Sequence, residues 1–238
     1  MKLFPSNPTG GIPSYRTKTR LRSKEKTLIF RNHAIADAAR PGGFYPVISA
    51  YDASSSYNAD SDGFYFEQSS GTSISNEATL YNTGREELYP QYDPLWISKF
   101  RIMDNTDIRI FAGMTTEAHN AVCDNDTIGG DAVGFQFSTN RGDTNWQLVT
   151  NNGGTQTTTN SGLAFVTSQI YIMEMEWSGV GTSVRFRISD QNFNALMQDT
   201  VVTSNLPAVT SDLSSMNALH TLATAAKTCR FYWRESWY

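Results

Sequence analysis

Two short stretches of this 238-residue chain fix a strand register by themselves. From 169 to 177 the odd positions Tyr171, Met173, Met175 and Trp177 are apolar, and Glu174 and Glu176 stand between them. From 183 to 189 the even positions Val184, Phe186 and Ile188 are apolar, with Arg185 and Arg187 in alternation. A period of two belongs to a strand with one buried face and cannot be read as helix. Antiparallel pairing of Trp177 with Val184, Met175 with Phe186 and Met173 with Ile188 satisfies both strands at once. It also sets Glu176 against Arg185 and Glu174 against Arg187 on the wet face. A slip of one residue would turn every apolar side chain outward, so this hairpin is strongly specified.

Other hairpins follow the same logic. Residues 145–150 and 155–159 flank Asn151-Asn152-Gly153-Gly154, a tight-turn signal, and 135–137 and 146–149 flank Asn140-Arg141-Gly142-Asp143. Strand-like runs with turn residues between them recur from Phe64 onward, and long Ala/Leu/Glu/Lys stretches are missing. The expectation is an all-β sandwich or barrel, with helix confined to a turn or two near 76–80 or 214–220. Residues 231–238 alternate well enough to be a final strand, and rings on both of its faces imply cover on each side. A single β domain of this length is ordinary and buries roughly 70–75% of its unfolded surface.

The N-terminal part is different in kind. Arg16, Lys18, Arg20, Arg22, Lys24 and Lys26 all fall on even positions, so an extended segment gathers six cations on one edge. Thr27-Leu28-Ile29-Phe30 reads as a continuation of the same strand. Residues 1–31 carry eight Lys/Arg and one Glu, a charge near +7, while 32–238 carry eleven Lys/Arg and twenty-two Asp/Glu, near −11. The reading is therefore an extended basic N-terminal arm (1–31) on an acidic body (32–238). Such a ladder serves first as a protein-docking strand on an acidic neighbour and second as a polyanion contact; the bland alternative is an edge strand kept soluble by its charges. Prolines 5 and 8 interrupt the first residues before an apolar core of a secretory signal forms, so none is expected. No run approaches the ~20 apolar residues of a membrane span.

Motifs with a chemical meaning are few. Glu174 and Glu176, two apart on one strand face, have the spacing of a retaining glycosidase pair at ~5.5 Å, but Arg185 and Arg187 land opposite them and make ion pairs the simpler reading. His33, His119 and His220 are dispersed, with no spacing for a metal face or a dyad. No nucleophile elbow or phosphate-cradling glycine motif occurs. Cys123 and Cys229 belong to no metal-binding pattern and read as buried thiols or a single disulfide. The oxygen-rich loop 123–131 would attract calcium if any cation, yet its spacing departs from the calcium-loop pattern and Asp/Asn/Gly clusters ordinarily make turns. No metal ligand and no cofactor are assigned. Arg141-Gly142-Asp143 matches a cell-adhesion tripeptide, but it is also what a hairpin tip wants. Asn125-Asp126-Thr127 is a glycosylation sequon whose meaning depends on secretion. Tyr89, Tyr92 and Trp96, in a proline-containing stretch, are the rings that could stack on sugars if they are not buried against the sheet.

From Trp96 to Trp233 the order of features resembles the concanavalin A-like lectin/glucanase jelly roll, in the laminin G-like variety found in phage and viral structural proteins. The segments that carry the resemblance are 96–102, 108–114, 134–138, 143–149, 171–176, 181–186 and Leu206-Pro207, with the closing run 221–233. It implies two curved antiparallel sheets used for adhesion or assembly. Glucanases of this fold carry two glutamates bracketing an aspartate on one strand, and Glu174-Met175-Glu176-Trp177-Ser178 lacks that aspartate. The expected fold is thus an antiparallel jelly-roll β-sandwich with an extended basic N-terminal arm. The expected function is a non-enzymatic virion structural protein (capsid, capsid-decorating or tail component), assembled in the host cytoplasm through the arm. Its partners would be other copies of itself or other virion proteins. The alternative is a lectin-like carbohydrate-binding module for host glycans.

Overall fold

A computed structural model of the chain describes residues 28–33, 47–49, 54–81, 88–193 and 195–237; the cation ladder at 16–26 lies outside them. In chain order the strands are β1 (Leu28–His33), β2 (Val47–Ser49), β3 (Ser54–Asp60), β4 (Gly63–Ser69) and β5 (Glu77–Tyr81). After a single turn of 3-10 helix at Pro90–Tyr92 come β6 (Leu95–Ile102), β7 (Ile108–Thr115), β8 (Ala132–Ser138), β9 (Asn145–Asn152) and β10 (Thr155–Ala164). The last five are β11 (Ile170–Ser178), β12 (Ser183–Ser189), β13 (Leu196–Val202), β14 (Ser214–Thr221) and β15 (Thr228–Trp237).

They form two antiparallel sheets. The first runs β13-β12-β11-β6-β15-β4-β3, with β1 lying on β15 beyond the end of β4. The second runs β10-β9-β8-β7-β14-β5-β2. β1 is the strand expected downstream of the ladder, and it places Leu28 opposite Trp237.

The β11–β12 register agrees with the alternation pair by pair, from Trp177 against Val184 to Met173 against Ile188. In the β9–β10 hairpin Asn152 faces Thr155 across Gly153 and Gly154, both at positive φ (57° and 87°), the conformation a two-residue turn of matching twist requires. The two expected helical turns are strands instead. Residues 77–81 and 214–221 pair with each other as β5 and β14. Short mixed segments such as Ala-Thr-Leu and Met-Asn-Ala-Leu carry little intrinsic preference, so the sheet decides.

Between the sheets lies one core built around Trp96, Phe100, Phe135, Trp146, Tyr171 and Phe186. Trp146 meets Phe100 and Tyr171 edge-on, at 6.1 and 5.4 Å between centroids. The expectation that the rings on both faces of the final strand are covered holds for β15. Phe231 enters the core, while Tyr232, Trp233 and Trp237 join Leu95, Ile97, Ile170, Ile172 and Phe193 in a second apolar cluster on the outer face of the first sheet. A bulge between Phe231 and Trp233 shifts the register there. A third cluster caps the second sheet from outside, where Val122, Cys123 and Ile128 of the long β7–β8 loop pack on Phe111, Val149, Met216 and Ala218. Cys123 in that loop and Cys229 between the sheets are separate buried thiols, not a disulfide, and burial pushes both well above the ordinary thiol range.

Candidate functional site

The glutamate pair sits on the outer face of the first sheet and is fully engaged. The Arg187 guanidinium donates to Glu174 and, at 3.0 Å, to Glu176. The expected Glu176–Arg185 ion pair is replaced. Arg185 turns to the other side of β12 and grips Asp199 of β13 with two bonds of 2.6 and 2.5 Å. A planar fork on one carboxylate is the geometry a guanidinium favours, and Asp199 of β13 supplies it. Glu174 is 4% exposed, so it presents no free carboxyl to a substrate. One guanidinium of β12 shared between two carboxylates of β11 is a strut across the two strands.

The β7–β8 loop, residues 116–131, is a strap over the second sheet. Arg109 of β7 reaches out from the sheet and donates to the carbonyls of Cys123 (2.7 Å) and Asp124 (2.8 Å) and to Asp126 Oδ1 (2.8 Å). Gln156 of β10 holds the next turn, donating to the Asp126 carbonyl and accepting from the Ile128 amide at 2.9 Å each. Asp131 accepts from the Gly153 amide and the Ser211 hydroxyl. Burial raises the Asp126 carboxyl, but hydrogen bonds from Ser138, Asn140 and Arg109 and the charge of Arg109 outweigh it and hold the group below the usual carboxylate range. Protein donors thus reach the Asp126 and Asp131 carboxylates and the carbonyls of Cys123, Asp124, Asp126 and Ile128. Among the described residues no group of three or more His, Cys, Asp or Glu side chains is arranged to hold a metal ion. The Arg141-Gly142-Asp143 tip folds onto itself, with Arg141 bonded to Asp143 (2.6 Å) and to Gln136 (2.7 Å).

His119 and His220 are far apart in sequence but meet in space. His119 of the strap and His220 of β14 converge on Glu77 of β5, at 3.0 and 3.3 Å, and Asp124 lies 3.6 Å from the second ring nitrogen of His220. The pairing of β5 with β14 sets Glu77 opposite His220, and the strap brings the other two. No spacing in the chain could announce this arrangement.

The three candidate sugar-binding rings separate. Trp96 is corrected. It is the second residue of β6, points between the sheets with Phe100 and Ile102, and is fully buried. Strand alternation begins directly after Pro94, one residue earlier than the proline-rich stretch suggests. Tyr89 and Tyr92 bracket the 3-10 turn and meet edge to face, at 6.0 Å and 88°. Tyr92 is 56% exposed, and among the residues whose burial is described it is the one aromatic side chain that stands open to solvent. The turn is pinned from two sides. Gln91 donates its amide to the Val209 carbonyl (3.0 Å), and Asp93, in the left-handed region at φ 49°, accepts from the Gly181 amide (3.1 Å). Val180 and Val209 are themselves exposed beside these contacts. Val180 sits at φ 59°, an unusual conformation for a β-branched residue. One end of the sandwich thus carries an open tyrosine ring, two exposed valines and a held carboxylate on a well-anchored base.

No family model matches the chain, and no curated protein matches it. Solved structures do. A protein of unknown function, SO2946 from Shewanella oneidensis MR-1, aligns over 98% of this chain and 96% of its own with a TM-score of 0.63 at 13% identity. Arcelin-5, a lectin-like defense protein from Phaseolus vulgaris, covers 90% of this chain and 98% of its own, with a TM-score of 0.55 at 9% identity. The exoplasmic/lumenal domain of VIP36, solved with Ca2+ and mannose, covers 88% and 91%, with a TM-score of 0.54 at 11% identity. The fold is the concanavalin A-like jelly roll.

Proposed function

We propose that this protein is a non-catalytic, lectin-like carbohydrate-binding module whose contact surface is the end of the sandwich around Tyr92. The observation that carries the reading is the exposed Tyr92 ring, held edge-on by Tyr89 and flanked by Val180 and Val209. A flat apolar ring beside a fixed carboxylate suits the CH face and hydroxyl rim of a sugar, and a base tied down by Gln91, Asp93 and Gly181 loses little entropy on binding. Arg187 across Glu174 and Glu176 supports the non-catalytic part. The test is a glycan array followed by titration of any hit. Tyr92→Ala is expected to weaken the hit by about 1–2 kcal/mol, roughly five- to thirty-fold in Kd, with the fold intact. Equal binding by wild type and variant, or no binding to any glycan, overturns it.

A second reading has its own observation. The basic ladder leads directly into β1, a strand already laid on β15, so the N-terminal segment is of the kind that adds to a sheet. On this reading the protein is a virion structural component that docks its ladder on an acidic neighbour, a second copy or another virion protein. Removal of residues 1–26 then leaves a folded body that no longer assembles, as read by size-exclusion chromatography. Unchanged assembly disposes of the idea.

A further inference from the structure

The strap has two kinds of anchor. Its apolar side chains Val122, Cys123 and Ile128 are at most 1% exposed against the second sheet. Beside the bonds from Arg109 and Gln156, its polar stitching includes a chain of four titratable groups from three places: His119 and Asp124 on the strap, Glu77 on β5 and His220 on β14. Each oxygen of Glu77 faces a different ring, Oε1 toward His119 Nδ1 at 3.0 Å and Oε2 toward His220 Nε2 at 3.3 Å. Thr79 donates to the same Oε2 at 3.2 Å. The other groups facing His220 are the Asp124 carboxylate on the strap and, opposite it on β7, Arg109, which is already spent on Asp126 and the carbonyls of Cys123 and Asp124. The Cys123 thiol is buried nearby, close enough for Glu77 and Asp124 to act on it.

His220 therefore stands with a carboxylate at each ring nitrogen, only 1% exposed, and neither nitrogen has a full hydrogen bond. A neutral imidazole has one N–H and one lone pair, so on one side it would aim a lone pair at a carboxylate oxygen. An imidazolium offers a donor to both. We propose that the strap is a proton-operated latch. With His220 as imidazolium the run His119–Glu77–His220–Asp124 is closed and the strap is held on β14 and β5. Loss of the proton leaves one carboxylate facing a lone pair, and the contact gives way at Asp124, whose side chain is 49% exposed against 4% for Glu77. The face uncovered is the apolar one around Phe111, Val149, Met216 and Ala218.

Amide hydrogen exchange by mass spectrometry on the full chain at pH 5.5 and 7.5, corrected for intrinsic exchange, tests this. Peptides spanning 116–131 are expected to be about ten-fold better protected at the lower pH, the worth of one charge-assisted hydrogen bond. Peptides from the β11–β12 hairpin should show no such difference. His220→Gln should abolish the pH difference. So should Asp124→Asn, which alters only the exposed carboxylate and so keeps the test available if the first variant does not fold. Equal corrected protection at both pH values overturns the latch. A difference of the same size in the β11–β12 peptides, or one that persists in Asp124→Asn, does so too.

Discussion

The strap over the second sheet and the Tyr92 end of the sandwich are both loop structures, yet they spend their residues in opposite ways. The strap is tied to the body: Arg109 alone holds two carbonyls and a carboxylate, and three apolar side chains are driven under it. At the Tyr92 end the backbone is anchored, but the side chains are left facing out, and one of them, Val180, rests in a conformation that costs free energy. A surface that only needs to be stable looks like the first. The second keeps apolar groups in water on a rigid base, which is what the proposed contact surface requires.

The contrast is testable from its strong side downward. Arg109→Ala should be the most damaging, since it leaves the Asp126 carboxylate without its cation and two carbonyls without their donor, and a loss of about 3–5 kcal/mol in urea unfolding is expected. A loss below about 1 kcal/mol would mean that the strap contributes no more than an ordinary loop. Val180→Gly acts at the other end and with the other sign. Relief of the left-handed conformation, about 1–2 kcal/mol, less the entropy glycine loses, about 0.5–1, predicts a gain near 0.5–1 kcal/mol. A higher Tm for this variant with weaker glycan binding would show strain held for function; a lower Tm would remove strain from the account.

Asp126 gives a smaller effect through pH. Its folded-state carboxyl lies below the usual value, so the stability it contributes is present above the unfolded value near 4 and is lost as pH falls through the folded one. Asp126→Asn should flatten the acid limb of the unfolding midpoint below about pH 4 and leave its shape at neutral pH unchanged. An identical acid limb in both proteins would show that Arg109 holds the strap through the carbonyls alone. Tyr92→Ala closes the series with almost nothing, a change within about 0.5 kcal/mol by thermal melting. A larger loss would make the ring part of the packing and take it out of the contact surface.

How much of this is legible in the chain depends on how local the cause is. The β11–β12 hairpin is written in fourteen-odd neighbouring residues, and its register follows from alternation alone. The side-chain pairing on its wet face was only half legible, because Arg185 answers to Asp199 on a third strand that alternation does not mention. Tyr92 could be singled out from its turn, whereas Trp96 needed the start of β6 to be known to within a residue. The Glu77, His119 and His220 cluster was beyond reach. Its members come from two strands that meet only in the folded sheet and from a loop that folds across them. Burial on an outer sheet face is equally silent in the sequence, since a strap and a bare face are compatible with the same strand pattern.

The position of β15 has a consequence for how such a chain comes to be folded. It is the last of the described strands, yet it stands inside the first sheet, with β6 along one side and β4 followed by β1 along the other. During vectorial synthesis the strands on either side of that seam emerge early and have no common partner until residues 228–237 leave the ribosome. The first sheet can only close once those residues have emerged, through contacts between strands far apart in sequence, and until then its half-built parts present open edges. A nascent chain stalled before residue 228 should recruit holding chaperones, and one released with β15 should not.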